Sequence, residues 1–190
     1  MTEIIMLYNT NNMLVISGAS ASGKTEVAHI ICKKYGLTRV ITVTTREKRV
    51  GEVDGVDYFF VSKDEFKKLL EEGKLVEYAE YNGNYYGSRK DQIADDHILV
   101  VEANGLKAYI ALNDPSIITF ALTADAKIRQ ERMKCRGDKQ CDIESRLKSD
   151  RTVFSKTNLK GVNYFIENNT KTLDELADDI YSKYQECLKK

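Results

Sequence analysis

A chain of 190 residues with 29 basic and 29 acidic side chains has no formal net charge, so composition supplies no bulk attraction to nucleic acid or to an anionic membrane surface. The length suits one substantial α/β core carrying inserted subdomains better than two independent domains. No apolar run approaches bilayer-spanning length, and no basic start followed by an apolar stretch marks a leader, so a soluble, cytoplasmic protein without nucleic-acid or membrane partners is expected.

Residues 1–12, "MTEIIMLYNTNN", read as an added edge strand, a loose arm or the product of a start assigned upstream of Met13. From Met13 onward, apolar β-branched runs alternate with helical patterns: Met13 to Ile16 then Lys24 to Tyr35, His97 to Val101 then Leu106 to Leu112, and Ile117 to Leu122 then Asp125 to Lys134. That rhythm predicts parallel strands joined by crossover helices, a doubly wound α/β sheet closed by a final helix over Leu173–Leu188 behind a Thr172/Glu175 capping box.

The rhythm breaks between Arg39 and Ser88. A strand-like run Val40–Val43 is followed by a second over Tyr58–Val61, a short helix marked by Ser62, Glu65 and Gly73, and a run Leu75–Tyr81 ending at Asn82-Gly83 before Tyr85-Tyr86. This predicts a small mixed α+β insertion with a hairpin. The stretch Arg129 to Arg151 is densely charged, helical and interrupted at Arg136-Gly137-Asp138; composition alone makes it a solvated surface helix pair. Cys32, Cys135, Cys141 and Cys187 lack C-x-x-C spacing and read as reduced thiols, with a disulfide or metal pair between Cys135 and Cys141 left open. His29 and His97 read as structural, and Tyr85 as packing.

The segment Gly18-Ala19-Ser20-Ala21-Ser22-Gly23-Lys24-Thr25 satisfies G-x-x-x-x-G-K-[ST] between a predicted strand and a predicted helix. Glycines let backbone N–H groups turn inward around phosphate oxygens, the helix offers its positive end, Lys24 reaches the β/γ-phosphates, and Thr25 can ligate Mg²⁺. A purine nucleoside triphosphate, ATP, with Mg²⁺ is therefore expected. The loop itself does not name the acceptor, because motors, switches and kinases share it.

The insertion carries Thr44-Thr45-Arg46-x-x-Arg49, Gly51-Glu52-x-x-Gly55-x-Asp57-Tyr58, Glu77-Tyr78-Ala79 and Asn84-x-Tyr86-Gly87-Ser88. In this order the motifs resemble the guanylate kinase family, and the resemblance runs from about Met13 to Tyr184. It implies a P-loop fold of the nucleoside monophosphate kinase type: a parallel sheet flanked by helices in a core of 13–38, 89–128 and 152–190, a GMP-binding insertion over 39–88, and a helical lid over 129–151. The implied reaction is direct in-line phosphorylation of GMP, and of dGMP, by ATP with Mg²⁺, in a monomer or homodimer.

Residue by residue, the resemblance gives Arg46, Arg49, Tyr58 and Tyr86 to the acceptor phosphate, Glu77 to the guanine edge, and Thr42, Gly87 and Ser88 to the base pocket. Arg132, Arg136 and Arg146 fall on lid positions that meet the triphosphate, and Lys24, Arg46, Arg136 and Arg146 are the implied catalytic set. There are departures. Val100 stands where the family has a carboxylate, with Glu102 and Asn104 replacing a second carboxylate and a glutamine, and the interval from Arg136 to Arg146 is one residue short. Two other readings compete: a P-loop kinase with a different phosphorylated acceptor, and a guanylate-kinase-like interaction module that has lost catalysis and binds a phosphorylated peptide.

Overall fold

The computed structural model describes residues 12–81, 83–94 and 96–189. The 1–12 extension therefore lies outside the described residues apart from Asn12, as does Asn82 of the expected hairpin turn.

In chain order the elements are β1 (Met13–Gly18), α1 (Lys24–Tyr35), β2 (Thr38–Arg39), β3 (Val43–Thr44), β4 (Phe59–Phe60), α2 (Lys63–Glu71), β5 (Leu75–Tyr81), β6 (Asn84–Arg89), β7 (His97–Val100), α3 (Ala103–Ala111), β8 (Ile117–Thr123), α4 (Ala126–Cys135), α5 (Gln140–Val153), β9 (Tyr164–Glu167) and α6 (Leu173–Leu188). The first sheet has order β2-β7-β1-β8-β9 and every pairing in it is parallel. All six residues of β1 are buried, as a central parallel strand covered on both faces requires. Its side chains alternate between two cores: Leu14 and Ile16 pack with Val27, Ile31, Leu176 and Ile180 from α1 and α6, while Met13 and Val15 pack with Leu106 and Tyr109 of α3.

The second sheet, order β4-β3-β6-β5, is mixed. The run Val40–Val43, expected as one strand, is divided between the sheets. Arg39 pairs with Ile98 in the first sheet and the Val40 N–H donates to the Ile98 carbonyl (2.9 Å), whereas the Thr42 carbonyl accepts from the Phe59 N–H (2.9 Å) and Val43 belongs to the second. β-branched composition marked the stretch as extended, but periodicity over four residues cannot show that the pairing partner changes partway.

Both expected capping boxes are complete, with Ser62 and Thr172 each exchanging bonds with the glutamate three residues on. The helix expected from Leu106 starts earlier, at Ala103, with Glu102 as its N-cap. The charged tract forms α4 and α5 with a break between them, but it is not simply a solvated pair: Arg129 and Asp150 are buried. All four cysteines are free thiols. His29 Nε2 lies 2.7 Å from Arg39 Nη1, which also donates to the Val56 carbonyl; burial, then the nearby guanidinium, holds the imidazole pKa down. No helix among the described residues is long and apolar enough to cross a membrane.

Candidate active site

The loop after β1 is shaped by two close approaches. A Cβ on Gly18 would lie 2.4 Å from the Leu122 carbonyl oxygen, so the strand end admits no side chain there. Gly23, the N-cap of α1, takes φ +96°, a left-handed conformation that glycine adopts without a Cβ penalty. Ala21 also has a positive φ, +58°, a conformation L-residues hold only where their surroundings enforce it. The surroundings are on hand: Arg132 Nη1 donates to the Ala21 carbonyl (3.2 Å), Arg132 Nη2 to the Asn168 carbonyl (3.3 Å), and Asn168 Nδ2 to the Ser22 carbonyl (2.9 Å).

Beyond this loop, at the C-terminal edge of the parallel strands where open α/β sheets take ligands, lies a cavity of about 490 Å³. Ser20, Ala21, Ser22, Gly23, Lys24 and Thr25 form one wall, and the N-terminus of α1 opens onto it. The loop between β3 and β4 contributes Arg46, Arg49 and Tyr58, and β6 contributes Tyr86; the charged tract of α4 and α5 contributes Arg136 and Arg146; Glu102 is the N-cap of α3.

Each arginine pair is parked on a carboxylate. Arg46 Nη2 donates to Glu52 Oε1 (2.7 Å), the Arg49 backbone N–H donates to Glu52 Oε2 (2.8 Å) and Arg49 Nη1 lies 3.8 Å from Glu52 Oε1, and the Arg46 guanidinium lies over the Tyr58 ring, 5.3 Å from its centroid. In the lid, Asp138 accepts from both Arg136 and Arg146. Burial, then Arg46, Arg136 and Arg146, depress the Arg49 pKa, which places four guanidinium groups within one another's field. Such a cluster gathers forked donors whose geometry matches that of phosphate oxygens.

A narrow slot of about 10 Å³ opens off the acceptor end, lined by Thr42, Glu77, Gly87 and Val100 among others and sharing Tyr58, Tyr86 and Glu102 with the larger cavity. Its room is about that of one water. Ser88 Oγ donates to Glu77 Oε1 (2.7 Å). Burial pushes the Glu77 carboxyl up to about 7 although the Ser88 bond opposes the shift. Burial also raises Glu102, against the pull of Lys24, Arg49 and Arg146. Val100, where the family has a carboxylate, is an apolar wall of the slot.

Of the residues expected from sequence, Gly18, Ala19, Arg132 and Ser88 line neither the cavity nor the slot: Gly18 ends the strand beneath the cavity and Ala19 follows, Arg132 braces the loop from behind, and Ser88 is buried and reaches the slot only through its bond to Glu77; Thr42, Glu77 and Gly87 line the slot alone. Several contributors escaped the reading, among them Glu26, Asn84, Asp142 and Ser145 of the cavity wall. Glu52 and Asp138 were visible as acids inside recognised tracts, Glu52 in Gly51-Glu52 and Asp138 at the Arg136-Gly137 break. Tyr81, Arg129 and Asp150 carried no signal, because they meet only in three dimensions.

The family model described as guanylate kinase matches residues 10–190. The guanylate kinase of Clostridioides difficile (strain 630) is 31% identical over 171 residues, covering 86% of this chain and 82% of that one. The guanylate kinase of Anaplasma phagocytophilum (strain HZ) is 30% identical over 185 residues, covering 92% and 86%. A crystal structure of guanylate kinase from Anaplasma phagocytophilum superposes with a TM-score of 0.76 at 25% identity, covering 97% of this chain and 90% of that one. With a phosphate loop, an arginine-lined acceptor face and a match over nearly its whole length, the chain belongs to the guanylate kinase family.

Proposed function

We propose that the cavity transfers the γ-phosphoryl group of ATP directly to the phosphate of GMP or dGMP, with the residue roles that follow. The observation that carries this reading is convergence: Lys24, Arg46, Arg49, Arg136 and Arg146, from three separate stretches of chain, face one cavity whose acceptor end adjoins the buried carboxyl of Glu77. The loop wall and Lys24 hold the β- and γ-phosphates, and Arg46, Arg49, Tyr58 and Tyr86 hold the acceptor phosphate. Arg136 and Arg146 lie where charge gathers on the moving phosphoryl group, and preorganised cations there lower the barrier without reorganising during the step.

Ionised Glu77 accepts from both N1–H and the exocyclic amine of guanine. Adenine presents an acceptor at N1 and leaves the carboxylate unsatisfied. Thr25, on the cavity wall in the first turn of α1, fits Mg²⁺, an ion that keeps several waters and takes phosphate oxygens as ligands instead of an all-protein cage; among the described residues no group of three His, Cys, Asp or Glu is gathered. When bound, the ion supplies neutralisation of phosphate charge. The wall needs no second chain, which accommodates either a monomer or a homodimer, and the reaction suits purine nucleotide supply in the cytoplasm.

Arg46→Ala tests the acceptor assignment. Losing a charge-assisted bond to the acceptor phosphate, worth about 2–3 kcal/mol, raises the KM for GMP roughly 30- to 100-fold while the KM for ATP moves little. Steady-state ADP formation from Mg-ATP and GMP reads both, and an unchanged GMP dependence would place the acceptor elsewhere.

A further inference from the structure

Asp150 of α5 has a fully buried carboxylate, and every contact it makes reaches a different part of the molecule. Oδ2 accepts from the Ser20 N–H of the phosphate loop (2.8 Å) and from Arg129 Nη1 of α4 (2.7 Å); Oδ1 accepts from the Tyr81 hydroxyl at the end of β5 (2.8 Å). Because the Tyr81 proton goes to Asp150, the Ser20 hydroxyl, 3.2 Å away, is the donor to the Tyr81 oxygen. Arg129 Nη1 also reaches the Ser20 carbonyl (3.3 Å). The N–H and the carbonyl of Ser20, one in each of its flanking peptide groups, are thus both held, immediately before the left-handed turn at Ala21.

The other end of the connection is equally pointed. Tyr81 and Glu77 lie four residues apart on β5, and side chains at even separations share a strand face. One strand therefore carries the slot carboxylate at one position and the hub tyrosine at another. Nothing in the transfer step requires a buried carboxylate at residue 150, and a buried charge without partners is costly.

We propose that Asp150 and Tyr81 are positioning residues that latch the acceptor subdomain to the phosphate loop, so that occupancy of the ATP side sets the geometry of Glu77 and the GMP side. The latch rests on the reading that ATP and GMP share this cavity. Ser20 is its loop member, Arg129 balances the buried charge, and the Tyr81 hydroxyl is the group through which β5 engages the loop.

The test measures GMP affinity by calorimetry with and without a saturating non-hydrolysable ATP analogue and Mg²⁺, in wild type, Tyr81→Phe and Asp150→Asn. Wild type should bind GMP about tenfold more tightly with the analogue present, a common size for coupled sites. Tyr81→Phe removes one oxygen and leaves the Arg129–Asp150 pair intact, so it should bring the ratio close to one and raise the KM for GMP far more than the KM for ATP, with the melting temperature held. Asp150→Asn leaves Arg129 unbalanced and can fail to fold; if it folds, adding it to Tyr81→Phe should cause no further loss of coupling, as expected for two members of one network. A Tyr81→Phe protein that keeps the wild-type ratio overturns the latch, as does a wild type that binds GMP with a ratio of one. A wild type that binds no GMP overturns the acceptor reading itself, and the latch falls with it.

Discussion

Glu77→Gln lowers kcat/KM for GMP a hundredfold or more, narrows the preference for GMP over AMP, and stabilises the protein at alkaline pH. The functional loss follows from counting donors. Guanine offers two N–H groups on the edge that the carboxylate accepts, and glutamine can accept only one while presenting an amine to the other, a loss of a few kcal/mol. The stability gain follows from burial, which raises the native carboxyl from 4.5 to about 7. The native state thus holds this proton more tightly than the unfolded chain does, and the stability associated with it is fully present below 4.5 and lost as pH rises through about 7. Glutamine is not subject to that loss and can still accept from Ser88. The gain should be about 3 kcal/mol at pH 8, roughly 6–12 °C in melting temperature for a chain of this size, and should vanish near pH 4.5. Kinetics with GMP and AMP, and melting curves at the two pH values, check both halves. A variant with unchanged nucleotide preference would remove Glu77 from base recognition.

Lys24→Ala lowers kcat by about a hundred- to a thousandfold, the scale typical of deleting one preorganised charge-stabilising group. Lys24 lies in the first turn of α1 on the cavity wall, only partly exposed, where a cation acts on phosphate charge with less screening than in water. It is also the leading cation holding down the pKa of buried Glu102. Its removal therefore has a second consequence: Glu102 moves further up, and residual activity becomes more sensitive to pH. ADP formation across a pH series measures this. Near-wild-type turnover at saturating ATP would contradict the role given to Lys24.

The frame and most of the cavity were legible because their signals are local. Strand-loop-helix geometry is written into Gly18–Thr25, and β1 is readable because both its faces are buried. The spaced motifs marked Arg46, Arg49, Tyr58 and Tyr86 as a group, and the structure brings all four to one cavity. Three things were not legible, for distinct reasons. The division of Val40–Val43 between two sheets depends on which partner each residue finds, not on its own propensity. The parking of four arginines on Glu52 and Asp138 depends on side-chain reach. Arg129 and Asp150 sit in a tract where charge normally signals solvent, and only their pairing across two helices makes burial affordable. The brace formed by Arg132 belongs with these: its position in the lid was readable, whereas its orientation toward the Ala21 carbonyl was not.

The second sheet owns very little core. Val43, Phe66 and Leu75 are its buried apolar cluster, and β5 leans on α3, where a Cβ at Gly105 would come within 2.9 Å of Glu77 Oε2. So small a cluster gives the subdomain little cohesion of its own, and units of that kind open and close more readily than the body that carries them. Under the proposed assignment, a flat base entering between Glu77 and Val100 contributes the contacts that a missing core side chain would otherwise provide. The acceptor nucleotide is then the last residue of the subdomain to fold, and selectivity among bases becomes a question of which one completes the packing.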